Sequence, residues 1–474
     1  MKKASKAKTK AAEQHPEHPY LLPVEDRLAA GKALRERCPR KSHAHWRAPH
    51  KRSDPIALLI ASGASRLPHL LPIRYGRMLI SPFTYYRGAA MVMAADLAGT
   101  PASGLRLQVC GDCHLLNFGG FATPERKALF DINDFDETTI APWEWDVKRL
   151  AASFVLAGRS NSFDEDQSRE AAWWAVRAYR QHMAALADMS VLDAWYSALD
   201  LEQLIDSGSD EQFKQFNRDK LRTATSLSAH QHELAKLTYE HHEQPRIKDD
   251  PPLVYHQDDL QKHKAFREQI EDAFNRYRRT LQPARRLLLD RYHIVDVAIK
   301  VVGVGSVGTE CGVMLLMSGN GDSLFLQYKE ATDSALEAYA GANPYRNHGE
   351  RVVVGQQIMQ AASDLFLGWT EGDGGRNFYV RQLRDVKVKP TVEVMKPVNM
   401  RDYARVCGWA LARAHARSGD AVTLTGYLGK GEAFEDAITE FASDYADQSE
   451  RDHALLKKAV RAGRIEARSE TTPG

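Results

Sequence analysis

Two acids and an amide at fixed spacing constrain this chain most. In LRLQVCGDCHLLNFGG, Asp112 is followed five positions later by Asn117, and Asp134 lies seventeen positions beyond Asn117 in the run DINDFDE, which also holds Asp131 and Asp136. The turn-forming TPERK and the apolar ALF stand between the two groups. LRLQVC and KALFDINDF read as short buried strands. A fold that takes this pattern must bring hard oxygen donors together at the ends of those strands, unless the acids only cap turns.

The same stretch also spells C-x-x-C-H through Cys110, Cys113 and His114, the pattern of covalent haem attachment. Such attachment normally requires export. The opening MKKASKAKTKAAEQHPEHP is basic but has no apolar run of the kind a secretory signal needs, so a cytoplasmic protein is expected, with a disordered basic tail over residues 1–20. That argues against a c-type haem protein. The five cysteines (Cys38, Cys110, Cys113, Cys311, Cys407) are scattered and odd in number, which suits reduced thiols better than a disulfide framework. With 64 Lys and Arg against 62 Asp and Glu, the net charge of +2 points to neither nucleic acid nor a membrane, and no segment approaches a membrane span.

Read one residue on, the stretch becomes G-D-x-H-x-x-N. Asp, then Asn five residues later, then an Asp-Phe after a hairpin is the layout of a phosphotransferase catalytic loop. There the Asp (Asp112) holds the acceptor hydroxyl. Asn117 and one or more of Asp131, Asp134 and Asp136 hold Mg²⁺ against the phosphates of ATP, an oxygen-rich set that magnesium prefers.

A kinase-like site also needs a glycine-rich loop and a strand-borne Lys, normally earlier in the chain. Nothing before residue 110 supplies them. They occur far downstream, in DVAIKVVGVGSVGTECGVMLLMSGNGDSLFLQYKEA. Gly303, Gly305, Ser306 and Gly308 make a G-x-G-S-V-G loop between two apolar runs. The second run ends in the tight-turn signature SGNGDS and is followed by LFLQYKE, so a hairpin of strands is expected, not the helix of a dinucleotide-binding turn. Lys329, on the third strand, is the candidate phosphate-contacting Lys. Lys300 in VAIK precedes the glycine loop, sits on the wrong strand and is expected to be a solvated decoy. The helix expected over GERVVVGQQIMQAASDLFLGW offers Glu350, and second Glu337, as the acid that pairs with Lys329. DLFLGW and NFYVRQL read as strands that lead to an adenine-binding hinge near Arg381, Gln382 and Leu383. YARVCGWALARAHARSG is an amphipathic helix, and a charged helical segment follows over roughly 431–467.

SPFTYYRGAA, CGDCHLLNFG, FDINDFDE, PWEWDVKRLAASF and FYVRQLRDVK resemble the motifs of the bacterial domain of unknown function 2252 family, from about Arg74 to about Asp420. That family is grouped with the protein-kinase-like superfamily, and the nearest likeness there is to aminoglycoside and choline phosphotransferases. The resemblance implies that Asp112 and Asn117 match the H-G-D-x-x-x-x-N loop, with Cys110 in place of the His. It also matches Asp134-Phe135-Asp136 to the metal-binding motif, favouring Asp134 over Asp131, and Asp146-Val147-Lys148 to the helix start that follows. A small-molecule hydroxyl acceptor is implied in the same way.

The expected architecture is therefore α+β: a bilobal protein-kinase-like fold in circularly permuted order, with a helical insertion. Residues 21–205 would form the helical lobe with the catalytic loop, 206–285 a helical insertion or cap, 286–390 the β-rich lobe, and 391–474 further helices of the first lobe. The insertion is rich in His (His230, His232, His241, His242), which on a charged helix face solvent more often than metal. Arg87, in FTYYRG, could reach a phosphate or an acidic substrate. Transfer of AMP to a protein, or nucleotide binding without turnover, are the alternatives on the same fold.

Overall fold

The computed structural model describes residues 19–225, 237–241, 244–256, 264–301, 307–383 and 387–468. It is a mixed α+β structure. Short helices occupy residues up to Leu97. Strands β1 (Arg106–Val109), β2 (Phe118–Ala122), β3 (Ala128–Ile132) and β4 (Thr139–Pro142) follow, and then two long helices, Glu144–Ser160 and Glu165–Ala187. The second starts on a capping box between Asp164 and Gln167. The first is buried along nearly its whole length and so cannot be a surface helix.

The helices Pro397–Ser418 and Ala433–Arg461 close this layer from the far end of the chain. One apolar cluster joins Val109, Leu150 and Val155 to Leu411, Phe434 and Phe441, and Trp143 stacks on Tyr179 with ring centroids 5.7 Å apart. Chain segments some 250 residues apart thus share one core. None of the helices is long and apolar enough to cross a membrane, among the described residues.

The segment 206–285 departs from the expected helical cap. It holds the helix Glu211–Thr225, but also a hairpin of β6 (Thr238–His241) and β7 (Gln244–Ile247), following β5 (Leu199–Asp200), and then β8 (Val254–Tyr255). β8 pairs with β9 (Tyr292–Lys300) and extends the main sheet. The helix Lys264–Thr280 buries Tyr277 against Met314, Leu316 and Leu326, and the Tyr277 hydroxyl donates to the Phe366 carbonyl at 2.6 Å. These pieces read as polar and helical in sequence because each apolar contact is isolated. Tyr277 and Ile247 are part of the large sheet's own core, whereas Leu221 of the helix Glu211–Thr225 joins the core of the helical layer.

That sheet has six antiparallel strands in the order β12-β13-β11-β10-β9-β8, with β10 (Cys311–Ser318), β11 (Ser323–Ala331), β12 (Gly368–Glu371) and β13 (Asn377–Gln382). Its register sets Lys329 opposite Cys311 on one side and opposite Tyr379 on the other. Between β11 and β12 the chain forms the helix His348–Met359, which packs on the sheet, on β1 and on the helix Pro397–Ser418. After β13, β14 (Lys387–Val388) pairs with β2 in a second sheet, β14-β2-β3-β5. The site lies between the large sheet and the loop that follows β1.

Candidate functional site

The loop Cys110–Asn117 is held by one face of the helix Glu144–Ser160. Asp146 accepts the backbone N–H of Cys110 at 2.8 Å and of Gly111 at 3.0 Å. Arg149 donates through Nε to Asp112 Oδ1 at 2.7 Å, and the Ser153 hydroxyl accepts from Leu115 N at 3.0 Å. Residues three to four apart on a helix share a face, so this row acts as a single clamp. Gly111 has φ of 81°, and a Cβ there would lie 2.2 Å from the Glu137 carbonyl oxygen, so only glycine fits the turn. Asn117 Nδ2 donates to the Asp112 carbonyl at 2.8 Å, and Asn133 N donates to the Asn117 carbonyl at 2.7 Å, which ties this loop to the next. Burial raises the Asp112 carboxyl above the usual carboxylate range, and Arg149 offsets this only in part.

The three acids of DINDFDE are sorted by where β3 ends. Asp131 is still in the strand and fully buried, where both its oxygens accept from Arg413 Nη2, at 2.6 and 2.7 Å, and one also accepts from Ala361 N. It is a structural ion pair and is not among the residues that line the cleft. Asp134 and Asp136 lie past the strand end and line the cleft together with Asp112 and Asn117. Asp136 receives the Lys329 ammonium on Oδ2 and the Tyr379 hydroxyl on Oδ1 at 2.6 Å, the pair that the strand register sets side by side. Burial opposes the Lys329 charge, but Asp136, Tyr379 and Asp134 together outweigh it and leave the ammonium more firmly protonated than an ordinary Lys. Asp134 Oδ1 accepts from Asp136 N at 3.3 Å, and its carboxyl is pushed up by burial and by the adjacent Asp136 charge. Two adjacent carboxylates, one of them (Asp134) with its ionisation resisted, beside an Asn amide are a donor set that a divalent cation would relieve; the oxygens of Asn117, Asp134 and Asp136 are of the kind that fits Mg²⁺.

The other expected site residues fare unequally. Gly303, Gly305 and Ser306 lie outside the described residues, as do His230, His232 and His242. Gly308 has φ of 95°, and its carbonyl accepts Leu67 N at 2.7 Å. Gln382 and Leu383 line the cleft, yet their backbone N–H groups already donate, to Asp364 Oδ2 and to the Phe325 carbonyl, both at 2.8 Å. Lys300, expected as a solvated decoy, is on the cleft wall. Glu350 is not brought to Lys329. It sits in the first turn of the helix His348–Met359, where Asn347 Oδ1 accepts its backbone N–H, and the ammonium is taken by Asp136. Glu337 pairs instead with Arg351 at 3.5 Å. Cys110 and Cys113 are buried, and with Asp146 their ligand atoms fall within 4.8 Å of one another; burial raises both thiols.

The cleft measures about 1850 Å³, and the residues lining it include eleven Lys or Arg against seven Asp or Glu. It is thus a large, net-positive site with a local acidic patch, a pattern suited to anionic ligands carried with a metal.

The chain matches, over residues 66–459, the model of a family described as an uncharacterised protein conserved in bacteria, DUF2252. It belongs to that family. Comparison with curated proteins and with solved structures gave no match. Every cleft residue described above lies inside the DUF2252 span, whereas the helix Val24–Arg37 precedes it.

Sequence reasoning on this DUF2252 chain missed three residues of the site. Arg149 anchors Asp112. Arg351 reaches the backbone carbonyls of Asp136 at 2.9 Å and Thr332 at 2.7 Å, and also that of Thr138, so it takes the linking role expected of Glu350. Tyr379 completes the Asp136 clamp. Only Arg149 left a usable signal, its i+3 spacing from Asp146.

Proposed function

We propose that this DUF2252 protein is an ATP- and Mg²⁺-dependent phosphotransferase with a kinase-like fold in circularly permuted order, acting on a small-molecule hydroxyl. The observation that carries the reading is that Asp112, Asn117, Asp134 and Asp136 share one cleft with Lys329, about two hundred residues later in the chain, and that Lys329 reaches Asp136 directly. The third-strand Lys, a helix between that strand and the next, and a loop Asp with Asn five residues on are the parts phosphoryl transfer uses, and chemistry at such sites is mostly positioning and charge compensation.

In this reading Lys329 and Arg381 compensate phosphate charge. Asn117, Asp134 and Asp136 hold Mg²⁺, which when bound neutralises charge on the phosphates. The apolar wall of Leu288, Leu324, Leu365, Phe366 and Leu383 takes the adenine, since the Gln382 and Leu383 amides are already used. Asp112, fixed by Arg149, accepts the proton as the acceptor oxygen forms its bond to the γ-phosphorus and the bond to the β,γ-bridging oxygen breaks, releasing ADP.

Incubation with ATP labelled at the α or the γ position tests the reaction. Transfer or release of the γ label, abolished by Asp112→Asn in a protein that still gains thermal stability from ATP and Mg²⁺, supports phosphoryl transfer. Transfer of the α label replaces it with AMP transfer, and nucleotide-dependent stabilisation with neither label moved replaces it with a binding module.

A further inference from the structure

The cleft wall built by the segment ahead of β1 has no part in the roles assigned so far. It presents three arginines: Arg66, after the helix Pro55–Ala61; Arg74, in Leu71–Leu79; and Arg87, in Pro82–Gly88. None of them forms an ion pair with a described residue. Arg87 makes no hydrogen bond to any described residue, and its Nε is sealed from solvent. Arg74 is 2% exposed; its two Nη atoms donate to the Gly88 carbonyl at 2.9 Å and the Ser62 hydroxyl at 3.3 Å, and its buried Nε has no partner. Arg66 donates to the carbonyls of Val307 at 2.7 Å and Ser62 at 3.2 Å.

Guanidinium groups are seldom buried without a carboxylate, because desolvation is costly and an unmet donor adds to it. Burial indeed weakens the hold of all three on their protons, Arg74 down to about 9. After burial, the groups acting most on Arg87 are Asp112, Glu393 and Asp134, and those acting most on Arg66 are Glu137 and Asp136. The three arginines line the same cleft as Asp112, Asp134, Asp136 and Glu137. A planar fork of N–H donors matches phosphate and carboxylate oxygens.

We propose that Arg66, Arg74 and Arg87 form an anion subsite for the acceptor, which is thus a small hydroxyl compound already carrying a phosphate or carboxylate group. The word acceptor rests on the phosphotransferase reading; the subsite itself stands on the three guanidinium groups. Arg87 holds the anion beside Asp112, so that the hydroxyl is presented to the group that takes its proton. A cleft of about 1850 Å³ has room for this second ligand, where one small-molecule site typically needs roughly 300–1,000 Å³.

Calorimetric titration of the full chain with inorganic phosphate, and separately with succinate, at constant ionic strength tests the subsite. Binding is expected for the wild type and for Lys329→Met, and weakened about tenfold or more in Arg87→Gln, the loss expected when a charged hydrogen-bonding partner is removed. Arg87→Lys, which keeps the charge and loses the fork, should fall between, and it takes the place of Arg87→Gln should that variant unfold. The stronger of the two anions identifies the acidic group. Binding unchanged in both Arg87 variants, or lost only in Lys329→Met, overturns the subsite, as does no binding of either anion. Should phosphate bind through Arg87 in a protein that never binds ATP with Mg²⁺, the subsite stands and the phosphotransferase reading falls.

Discussion

Asp131 and Asp136 belong to one seven-residue run, yet they live in opposite environments. Asp131 is the inward residue of a strand, fully buried against the equally buried Arg413. Asp136 lies beyond the strand end, in the cleft, with Lys329 and Tyr379. The first pair joins β3 to the helix Pro397–Ser418, and so fastens early and late parts of the chain together. The second joins the acidic loop to the large sheet across an open site. Identical chemistry becomes architecture where the pleat continues and a candidate site where it stops.

Breaking the interior pair should have the largest effect. Asp131→Ala strands the Arg413 charge in the core and is expected to cost about 3–5 kcal/mol of unfolding free energy, measured by urea denaturation. On the cleft side, Asp134→Ala removes an acid that has no ion pair of its own among the described residues and is crowded by Asp136, and it should leave the unliganded protein at least as stable.

The next contrast lies on the helix His348–Met359. Arg351→Gln removes the charged donor to three backbone carbonyls and should cost about 2–3 kcal/mol, whereas Glu350→Gln should change stability by less than about 0.5 kcal/mol. An equal cost for the two would restore Glu350 as a structural partner.

The smallest effect is a pH dependence. The Asp134 carboxyl is raised in the folded protein, so the folded state binds its proton more tightly than the unfolded chain does. Its favourable contribution is full below the ordinary Asp value of about 4 and is lost as pH rises through the raised one. Unfolding free energy of the unliganded wild type should therefore decline over that window more than that of Asp134→Asn. Mg²⁺ should bind more tightly as pH rises through it, because the cation competes with the proton.

Much of the scaffold around the site was legible. The tight turn SGNGDS between apolar runs forms the β10–β11 hairpin, and Lys329 is on the third strand as its place after the glycine segment implied. The spacing of Asp112, Asn117 and Asp134 also pointed to residues that line one cleft. Glu350 illustrates the limit. It lies one residue from Arg351, and one residue on a helix is a rotation of about 100°, so a small error of phase exchanges the inward and outward positions. An acid in the first turn also has a local reason to be there, the helix dipole. Arg413 was hidden for a related reason: a charged residue on a helix is usually exposed, and only the three-dimensional partner reveals the exception. The strands of 206–285 were hidden because they are short and polar, and their apolar contacts are with residues distant in sequence.

The central claim is that the Asp134–Asp136 patch and Lys329 together hold a metal-bound nucleotide. Isothermal titration of ATP into the full chain, with Mg²⁺ and with chelator, in the wild type and in Asp134→Ala, tests it most directly. The account predicts one site in the wild type with Mg²⁺, and its loss both in chelator and in the variant. Binding that is indifferent to Mg²⁺ and to Asp134, or no binding at all, would contradict it.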